Sequence, residues 1–523
     1  MKLLLAAMLF TSTIATAQNT YWQQYLHYTI NARLNDQEKS ITGKETIVYI
    51  NNSPDTLGFI WFHLYANAYK DESTALFRQL SDIKSKSKPK KLTPGFISDL
   101  SFTINGIAAV TVAHPNPEYI DIIKVILPKP LAPGDSAIIA TPFKVQLPPY
   151  FSRSGFEGGE FMACQWYPKP AVFDNTGWHE MPYLDMGEFY SEYASYHVNI
   201  TVPSGYVVGA TGTLQTATEL EAYKNLGTYN NLHRDDKPQL YLPSLKDTIK
   251  TLSYSADSVV DFAWFADKHF VIEYDTMQLL SGKIIDVFTW YHANKKTPWV
   301  SSIDYVKDAV RHYSSWIGDY EYPIVQAAEG PKNDVSGGME YPTITLITSP
   351  GNDGEKLDDV ITHEVGHNWF MAMLGTNERE HAWMDEGLNT YFEFRYIAEK
   401  YRGNPVFGDK IPDEVTSLSE PDFQQLVYLQ LSKIPTDYAI ETPAENFKNE
   451  DEYSLTEYLK PAIWVYMIEK MAGMPALNSA FHNYFNLWKF KHPQPQDMKD
   501  AFESSLQVGL NNYYKLLDKK KGL

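Results

Sequence analysis

The sequence HEVGH occupies residues 363–367, inside an apolar pattern that predicts a helix from Lys356 to Leu374. Residues four positions apart in a helix lie on one face, about one turn from each other. The imidazoles of His363 and His367 can therefore bind one Zn²⁺ ion, and Glu364 between them can reach a water molecule at that ion. This stretch predicts a metal site in a helical part of the chain.

The third ligand is predicted at the start of a second helix, Asp385 to Tyr401, in the sequence WMDEG at residues 383–387. Eighteen residues separate His367 from Glu386, and a turn at Gly375 can return the Glu386 carboxylate to the histidine pair. A His₂Glu site leaves the fourth position of a tetrahedral zinc ion open, which is typical of catalytic sites. Taken alone, Glu386 also fits an acid that favours the first turn of a helix through the helix dipole.

The chain divides into two parts that differ in periodicity. From about Tyr21 to Phe270, short alternating apolar runs are separated by turn sequences, which is typical of β-strands. Beyond this region the period becomes helical, with Ser302 to Trp316 as a further clear helix. We therefore expect an α+β protein. It would have an N-terminal β-rich saddle or sandwich domain over residues 18–272, a mainly helical catalytic domain over residues 273–505, and a C-terminal tail over residues 506–523.

Length and charge exclude some classes of function. A chain of 523 residues is too long for a lone binding module and can bury an active site. It carries 45 basic and 64 acidic side chains, and the net charge of −19 argues against a nucleic-acid partner. Cationic or N-terminally charged ligands are favoured instead. The single cysteine, Cys164, excludes an intrachain disulfide and argues against a metal cluster held by several thiolates.

The N-terminus has the features of an export signal. Lys2 precedes an apolar run from Leu3 to Phe10, and small residues end at Ala17. We expect a signal peptide over residues 1–17 and export to the periplasm or the extracellular space; a buried N-terminal helix is the alternative. No later stretch has the ~20 apolar residues of a spanning helix, so no membrane-spanning segment is expected.

HEVGH, Glu386 at its spacing and the upstream sequence GGMEYP at residues 337–342 together resemble the gluzincin aminopeptidases, the family of aminopeptidase N and leukotriene hydrolase. The resemblance follows both predicted domains in order and is dense from about residue 320 to 470. It implies a thermolysin-like catalytic domain, one zinc ion per chain, and peptide substrates with a free N-terminus.

The resemblance also assigns roles along the substrate cleft. Glu340 would bind the free α-amine of the substrate, and Gly337, Gly338 and Met339 would form the cleft edge beside it. A carboxylate near the metal selects a terminal ammonium and places the first peptide carbonyl at the zinc. Tyr341 stands where the family has asparagine, which changes the wall of the first side-chain pocket.

Two further matches are more distant in sequence. Tyr458 resembles the family tyrosine that donates a hydrogen bond to the oxyanion, although Lys460-Pro461 replaces the usual Lys-Gly. Gln165 resembles the glutamine of a β-domain loop that reaches into the cleft. The second amine-binding acid of the family would then fall at Tyr167 and be absent, which would leave amine recognition mainly to Glu340.

These observations predict a secreted zinc metallopeptidase that removes N-terminal residues from peptides. In this mechanism, Glu364 takes a proton from the attacking water and passes it to the departing amine, while zinc and Tyr458 share the oxyanion. Two alternatives stay open: a thermolysin-type endopeptidase, which needs no amine anchor, and a catalytically silent peptide-binding protein. The sequence does not indicate an oligomeric state.

Overall fold

The computed structural model describes residues 21–86, 88–242, 248–293, 297–332, 337–348, 353–401 and 420–520. The signal peptide predicted over residues 1–17 lies outside these ranges. One contiguous cluster of buried apolar side chains extends through the β-rich and the helical parts of the described chain.

Strands dominate the regular structure of the first part of the described chain, because apolar and polar residues alternate along them. In β1, Tyr25–Asn35, every second residue from Leu26 onward is buried. The nineteen strands of this part, in chain order, are β1 Tyr25–Asn35, β2 Ser40–Ile50, β3 Leu57–His63, β4 Phe96–Ser98, β5 Thr103–Ile104, β6 Ile107–Ala108, β7 Val110–Ala113, β8 Ile122–Leu131, β9 Ser136–Gln146, β10 Gly155–Glu157, β11 Glu160–Ala163, β12 Lys169–Pro170, β13 Val172–Asp174, β14 Gly177–His179, β15 Ala194–Pro203, β16 Val207–Ala210, β17 Thr213–Leu214, β18 Ile249–Val259 and β19 Trp264–Asp267.

A nine-stranded sheet forms the body of this β-rich part. Its strand order is β17-β18-β15-β1-β2-β9-β5-β6, and β4 pairs with β9 outside this path. The hairpin of β1 and β2 pairs over its whole length, from Tyr25 with Ile50 to Asn35 with Ser40. The β-rich part also contains two four-stranded sheets and one hairpin. The strand orders of the two sheets are β10-β11-β19-β16 and β12-β3-β8-β7, and the hairpin is β13-β14.

The second part adds a five-stranded mixed sheet to the helices. Its strands are β20 Phe270–Gln278, β21 Ile284–His292, β22 Ile324–Glu329, β23 Gly338–Tyr341 and β24 Ile344–Ile347. The order is β20-β21-β22-β24-β23, so β23 is an edge strand. This edge strand carries Glu340, and the sheet was not expected from the helical periodicity of this part of the sequence.

The helices of the described residues lie mainly after this sheet begins. They are α1 Ala75–Asp82, α2 Ala217–Leu232, α3 Ser302–Trp316, α4 Gly354–Gly366, α5 Glu386–Tyr401, α6 Glu420–Leu431, α7 Glu450–Ser454, α8 Lys460–Ala472, α9 Met474–Trp488, α10 Pro495–Leu506 and α11 Asn511–Leu517. A π-helical turn, Leu455–Leu459, joins α7 to α8. The predicted α+β order, β-rich first and helical second, is confirmed.

The predicted helix from Lys356 to Leu374 is too long. Asp353 caps the observed helix α4, because its side chain accepts a hydrogen bond of 3.0 Å from the backbone N–H of Glu355. Helix α4 ends at Gly366. After it the chain reverses through wide turns, and Met371 has a φ of 128°, a backbone conformation that cannot continue an α-helix.

Gly366 allows the three central helices of this part to approach each other. A Cβ atom at Gly366 would lie 2.0 Å from Asn389 Oδ1 on α5 and 2.5 Å from the Tyr313 ring on α3. Asn389 uses that space for two hydrogen bonds: its Nδ2 donates to the carbonyl of His363 over 2.7 Å, and its Oδ1 accepts from the Tyr313 hydroxyl over 2.7 Å. The glycine inside HEVGH therefore fixes α4 against α5, which carries the third predicted ligand.

The boundaries predicted at residues 272 and 505 remain predictions. Strand β20 crosses the first boundary, and α11 lies after the second. In the described ranges, no helix combines the length and the apolar character that crossing a lipid bilayer requires.

Candidate active site

The structure brings His363, His367 and Glu386 to one point. The Nε2 atoms of the two histidines are 3.1 Å apart, and Glu386 Oε2 lies 3.3 Å from each of them. A tetrahedral ion with ligand bonds of ~2.0–2.1 Å has ligand atoms about 3.3 Å from each other. The three side chains therefore fit a zinc ion.

Unsatisfied polar atoms support the same conclusion. Glu386 is 4% exposed, and its Oε2 has no hydrogen-bond donor in the described structure. A buried carboxylate oxygen without a donor is costly unless a cation or a proton compensates it. Burial opposes ionisation of Glu386, but the two histidines outweigh it and hold the pKa of this carboxyl well below its usual range. Zinc would be held here by two imidazoles and one carboxylate.

Two outer carboxylates orient the histidine rings. Asp385 Oδ1 lies 2.6 Å from His367 Nδ1, and Glu393 Oε2 lies 2.9 Å from His363 Nδ1. Each contact leaves Nε2 of the ring directed at the common point, as metal-binding histidines require. Asp385 directly precedes Glu386, and Glu393 lies two turns further along α5, so this one helix supplies a ligand and an orienting acid.

Glu364 lies between the two ligands, and its carboxyl faces the edge strand β23. A Cβ atom at Gly338 would lie 2.5 Å from Glu364 Oε1, whereas one at Gly337 would meet nothing nearer than 3.9 Å. Only glycine at position 338 therefore leaves room for this carboxyl. Burial raises the pKa of Glu364 to about 7, while the two histidines act in the opposite direction. Its Oε2 is buried and accepts no hydrogen bond from the described residues.

Tyr458 reaches the site from the π-helical turn Leu455–Leu459. Its hydroxyl donates to Glu386 Oε1 over 2.6 Å, and its ring stacks on His363 with centroids 6.1 Å apart. Burial, followed by the nearby Glu386 carboxylate, raises the pKa of the Tyr458 phenol well above its usual value. The phenol is therefore a hydrogen-bond donor at neutral pH. A Cβ atom at Gly387 would lie 2.3 Å from Cβ of Pro461. Glycine at position 387 therefore lets this turn pack closely against α5.

Glu340 points into the same site from β23. It is 5% exposed, its Oε1 has no donor in the described structure, and one of its oxygens lies within 4.8 Å of ligand atoms of Glu364 and His367. Burial and then the carboxylate of Glu188 raise the pKa of Glu340 well above its usual value. Such a carboxyl is stabilised by a cationic partner.

Sequence reasoning missed Glu188, which follows Gly187 in the connection between β14 and β15. One of its oxygens lies within 4.8 Å of oxygens of Glu340 and Glu386. The guanidinium of Arg153 pairs with Glu188 Oε1, whereas Oε2 has no donor in the described part of the chain. Both residues line the cleft at the histidines. No local pattern marks this glutamate, because it is far in sequence from each motif.

Gln165 takes a different position from the other predicted site residues. It is 2% exposed, and its Nε2 donates to Asp261 Oδ2 over 2.6 Å. It lines a small cavity beside Glu340 and Glu188 rather than the cleft at the histidines. Tyr167 is also buried, and its hydroxyl donates to Asp261 Oδ1 over 2.8 Å. Gly337, Gly338 and Glu340 line the cleft itself, whereas Met339 lines the small cavity.

The cleft has a volume of about 320 Å³, in the range of ligand sites. A model of the peptidase family M1 domain matches residues 314–517. These residues are therefore similar to a peptidase family M1 domain, and we call them the M1-like region. This region runs from the end of α3 to α11 and includes all three ligands, Glu364, Glu340 and Tyr458.

Curated relatives match about a third of this chain. A leukotriene A-4 hydrolase homolog of Botryotinia fuckeliana is 28% identical over 186 residues, 34% of this chain and 27% of the relative. Leucine aminopeptidase 2 of Sclerotinia sclerotiorum is 28% identical over 186 residues, 34% of this chain and 29% of the relative. The alignment thus spans less than a third of the length of these relatives.

Solved structures resemble the whole chain in fold. The M1 zinc metallopeptidase of Deinococcus radiodurans has a TM-score of 0.61 at 16% identity and covers 96% of this chain and 94% of its own. Aminopeptidase A of Legionella pneumophila has a TM-score of 0.63 at 12% identity and covers 95% of this chain but 49% of its own. The β-rich part and the helical part of this chain therefore follow an architecture that is known from solved structures.

Proposed function

We propose that this protein is a zinc aminopeptidase that removes N-terminal residues from peptides. One observation carries the proposal: the buried carboxylate of Glu340 and the partly buried carboxylate of Glu188 lie within 4.8 Å of the metal-ligand carboxylate Glu386. Two acids beside a His₂Glu site form a binding site for an ammonium group. They set the distance from the substrate N-terminus to the hydrolytic centre.

This geometry specifies where a peptide is cut. The α-ammonium and the first peptide carbonyl of a substrate belong to the same residue. When Glu340 and Glu188 hold the ammonium, this first carbonyl therefore lies at the metal ligands. The edge strand β23 offers backbone groups along the cleft, and an extended peptide can add to such an edge. A longer N-terminal extension would place uncharged backbone against two carboxylates and lose this pairing.

The catalytic roles follow from the positions of the side chains. Bound zinc would supply a Lewis acid that polarises the carbonyl and lowers the pKa of water. Oε2 of Glu364, which accepts no hydrogen bond from the described residues, takes the proton of the attacking water. Glu364 then delivers this proton to the departing amine. The Tyr458 hydroxyl donates a hydrogen bond to the oxygen on which negative charge develops.

The experiment compares free and blocked N-termini. A peptide and its N-acetylated form are incubated with the zinc-loaded protein, and products are followed by mass spectrometry with and without a chelator. We expect stepwise loss of N-terminal residues from the free peptide alone, abolished by the chelator and by Glu364→Gln. Internal cleavage of the acetylated peptide would instead identify a thermolysin-type endopeptidase, and binding without turnover would identify a silent peptide-binding protein.

We also propose that the protein is exported after cleavage behind Ala17. The proposal rests on the order of Lys2, the apolar run and the small residues in the sequence. N-terminal sequencing of the protein from the periplasm or the medium tests it. A mature chain that starts at Gln18 is expected, and recovery of the intact N-terminus from the cytoplasm would contradict export.

A further inference from the structure

A small cavity adjoins the catalytic cleft on the far side of the proposed amine site. Glu340 and Glu188 line both spaces, so the cavity begins where a bound substrate ammonium would lie. Gln165, Met339, Met371 and Glu378 form other parts of its wall. The side chain of the first residue of a substrate leaves the carbon next to that ammonium, so this cavity is its nearest enclosed space.

The cavity wall presents acceptors that lack donors. Glu378 is 1% exposed, neither of its carboxylate oxygens accepts from an N–H or hydroxyl donor of the described structure, and its carboxyl lies within hydrogen-bond reach of another acid, Asp385. Gln165 is 2% exposed, and its Oε1 is likewise without a donor there. Gln165 carries no charge, so its unsatisfied oxygen is evidence, independent of the carboxylates, that this cavity receives a hydrogen-bond donor. Buried acceptors of this kind are costly until a ligand satisfies them.

Two other acids around the cavity, Asp261 and Glu188, are paired with cations within the protein. Lys169 Nζ lies 3.0 Å from Asp261 Oδ2, and both side chains are buried. Arg153 pairs with Glu188. For Glu378, no lysine, arginine or histidine partner is present among the described side chains. Glu378 therefore gives the cavity an acidic group without a cation, with one oxygen within 4.8 Å of oxygens of Glu340 and Asp385.

We propose that this cavity receives the side chain of the first substrate residue and that Glu378 selects lysine or arginine there. The proposal rests on the aminopeptidase function proposed above. The α-ammonium of such a substrate supplies donors to Glu340 and Glu188, and its side-chain cation supplies donors to Glu378 and Gln165. A diamino substrate thus satisfies the acceptors of both sites at once, which an aliphatic side chain cannot do.

The side chain enters by displacing methionine. The closed cavity has a volume of about 20 Å³, which is room for about one water molecule. Met339 and Met371 line it, and unbranched methionine side chains can change rotamer and repack around a ligand. Both are largely buried in the free protein, at 6% and 9% exposure, so they fill the space that a longer side chain takes.

The experiment uses substrates that differ only in the terminal cation. Lysyl and norleucyl aminomethylcoumarin have the same straight side chain, except that norleucine ends in a methyl group. For the wild-type protein we expect kcat/KM for the lysyl substrate to exceed that for the norleucyl substrate at least tenfold. In Glu378→Gln this ratio falls at least tenfold, because the amide keeps the shape and removes the charge. Glu380→Gln, which changes a half-exposed acid two positions along the chain, is the matched control and keeps the wild-type ratio.

A second measurement does not depend on the folding of a variant. Free L-lysine should inhibit the wild-type protein at a concentration at least tenfold lower than L-norleucine. A wild-type protein that cleaves both substrates without preferring lysine, or a ratio that Glu378→Gln leaves unchanged, overturns the assignment of Glu378 while the aminopeptidase function stands. A zinc-loaded protein that cleaves no aminoacyl substrate overturns both.

Discussion

Tyr458 donates a hydrogen bond of 2.6 Å to Glu386 Oε1, while the other oxygen of the same carboxylate lies 3.3 Å from Nε2 of each histidine. One carboxylate thus connects the phenol to the metal position. The phenol keeps its proton because burial and Glu386 raise its pKa. Tyr458 therefore has two tasks, orienting a ligand and donating to the developing oxyanion, and the two are separable by experiment.

Tyr458→Phe should lower kcat by roughly 10²–10³-fold, the usual loss for one oxyanion donor. Loss of the hydrogen bond to Glu386 should weaken zinc binding by roughly 10–100-fold. Turnover at saturating zinc and competition for zinc with a chromogenic chelator measure the two effects separately. Tyr484→Phe is the control, because its buried hydroxyl has no hydrogen-bond partner in the described structure. Full activity of Tyr458→Phe at saturating zinc would remove the oxyanion role.

Gly338 and Gly337 provide a matched pair of substitutions beside Glu364. A Cβ atom at position 338 would overlap the Glu364 carboxyl, at 2.5 Å, whereas position 337 has space. Because a carboxyl group is the mobile end of its side chain, Gly338→Ala should fold and yet displace the base. We expect its kcat to fall by about 10²-fold or more, the contribution of general base catalysis, with zinc content unchanged. Gly337→Ala should stay within a few-fold of wild type. Equal activities of the two variants would show that the Glu364 position is not critical.

The two acids at the amine site should contribute unequally. Glu340→Gln removes a carboxylate without a cationic partner, so kcat/KM for free peptides should fall roughly tenfold to hundredfold, the equivalent of ~1.5–3 kcal/mol for hydrogen bonds to charged groups. Glu188 is already paired with Arg153, so Glu188→Gln should have the smaller effect. Initial rates on one aminoacyl coumarin series measure both variants. A larger loss for Glu188→Gln would reverse the assignment of the main anchor.

The metal ligands were predictable because their spacing is local or nearly so. HEVGH requires only helical geometry, and Glu386 requires one reversal between two packed helices. The predicted helix end at Leu374 was wrong, because apolar residues beyond Gly366 continue the buried pattern in turns that are not helical. Periodicity reports burial, and in this segment burial and helix do not coincide.

The acids around the ligands were not predictable in the same way. Glu188 and Glu378 reach the site through loops, and the sequence around each shows no motif. Their significance comes from oxygens without a donor within hydrogen-bond distance, Oε2 of Glu188 and both oxygens of Glu378, and that property exists only once the chain is folded. The edge strand β23 was not predicted either, because four residues are too few to show a period; only the resemblance placed its residues at the edge of the cleft.

Glu273 makes the stability of the protein depend on pH far from the active site. It lies on β20, is 1% exposed, and its Oε1 accepts a hydrogen bond of 3.0 Å from the Tyr291 hydroxyl. Burial raises the pKa of Glu273 to about 7, despite that hydrogen bond and the charge of Arg234. In the unfolded chain a glutamate has a pKa of ~4.3. Between these two values the folded state binds the extra proton, so stability decreases as pH rises through this window.

Glu273→Gln removes this dependence while keeping the size of the side chain. Relative to wild type, the free energy of unfolding of the variant should rise by about 2 kcal/mol between pH 5.5 and pH 8.5, since one pKa unit corresponds to ~1.36 kcal/mol. Urea denaturation of both proteins at the two pH values measures the change in their difference, whatever the cost of the substitution itself. Glu221→Gln, at an exposed position on α2, should show no such change. If the difference between wild type and Glu273→Gln is the same at both pH values, Glu273 is ionised in the folded protein throughout, and its burial must be compensated by the hydrogen bond from Tyr291.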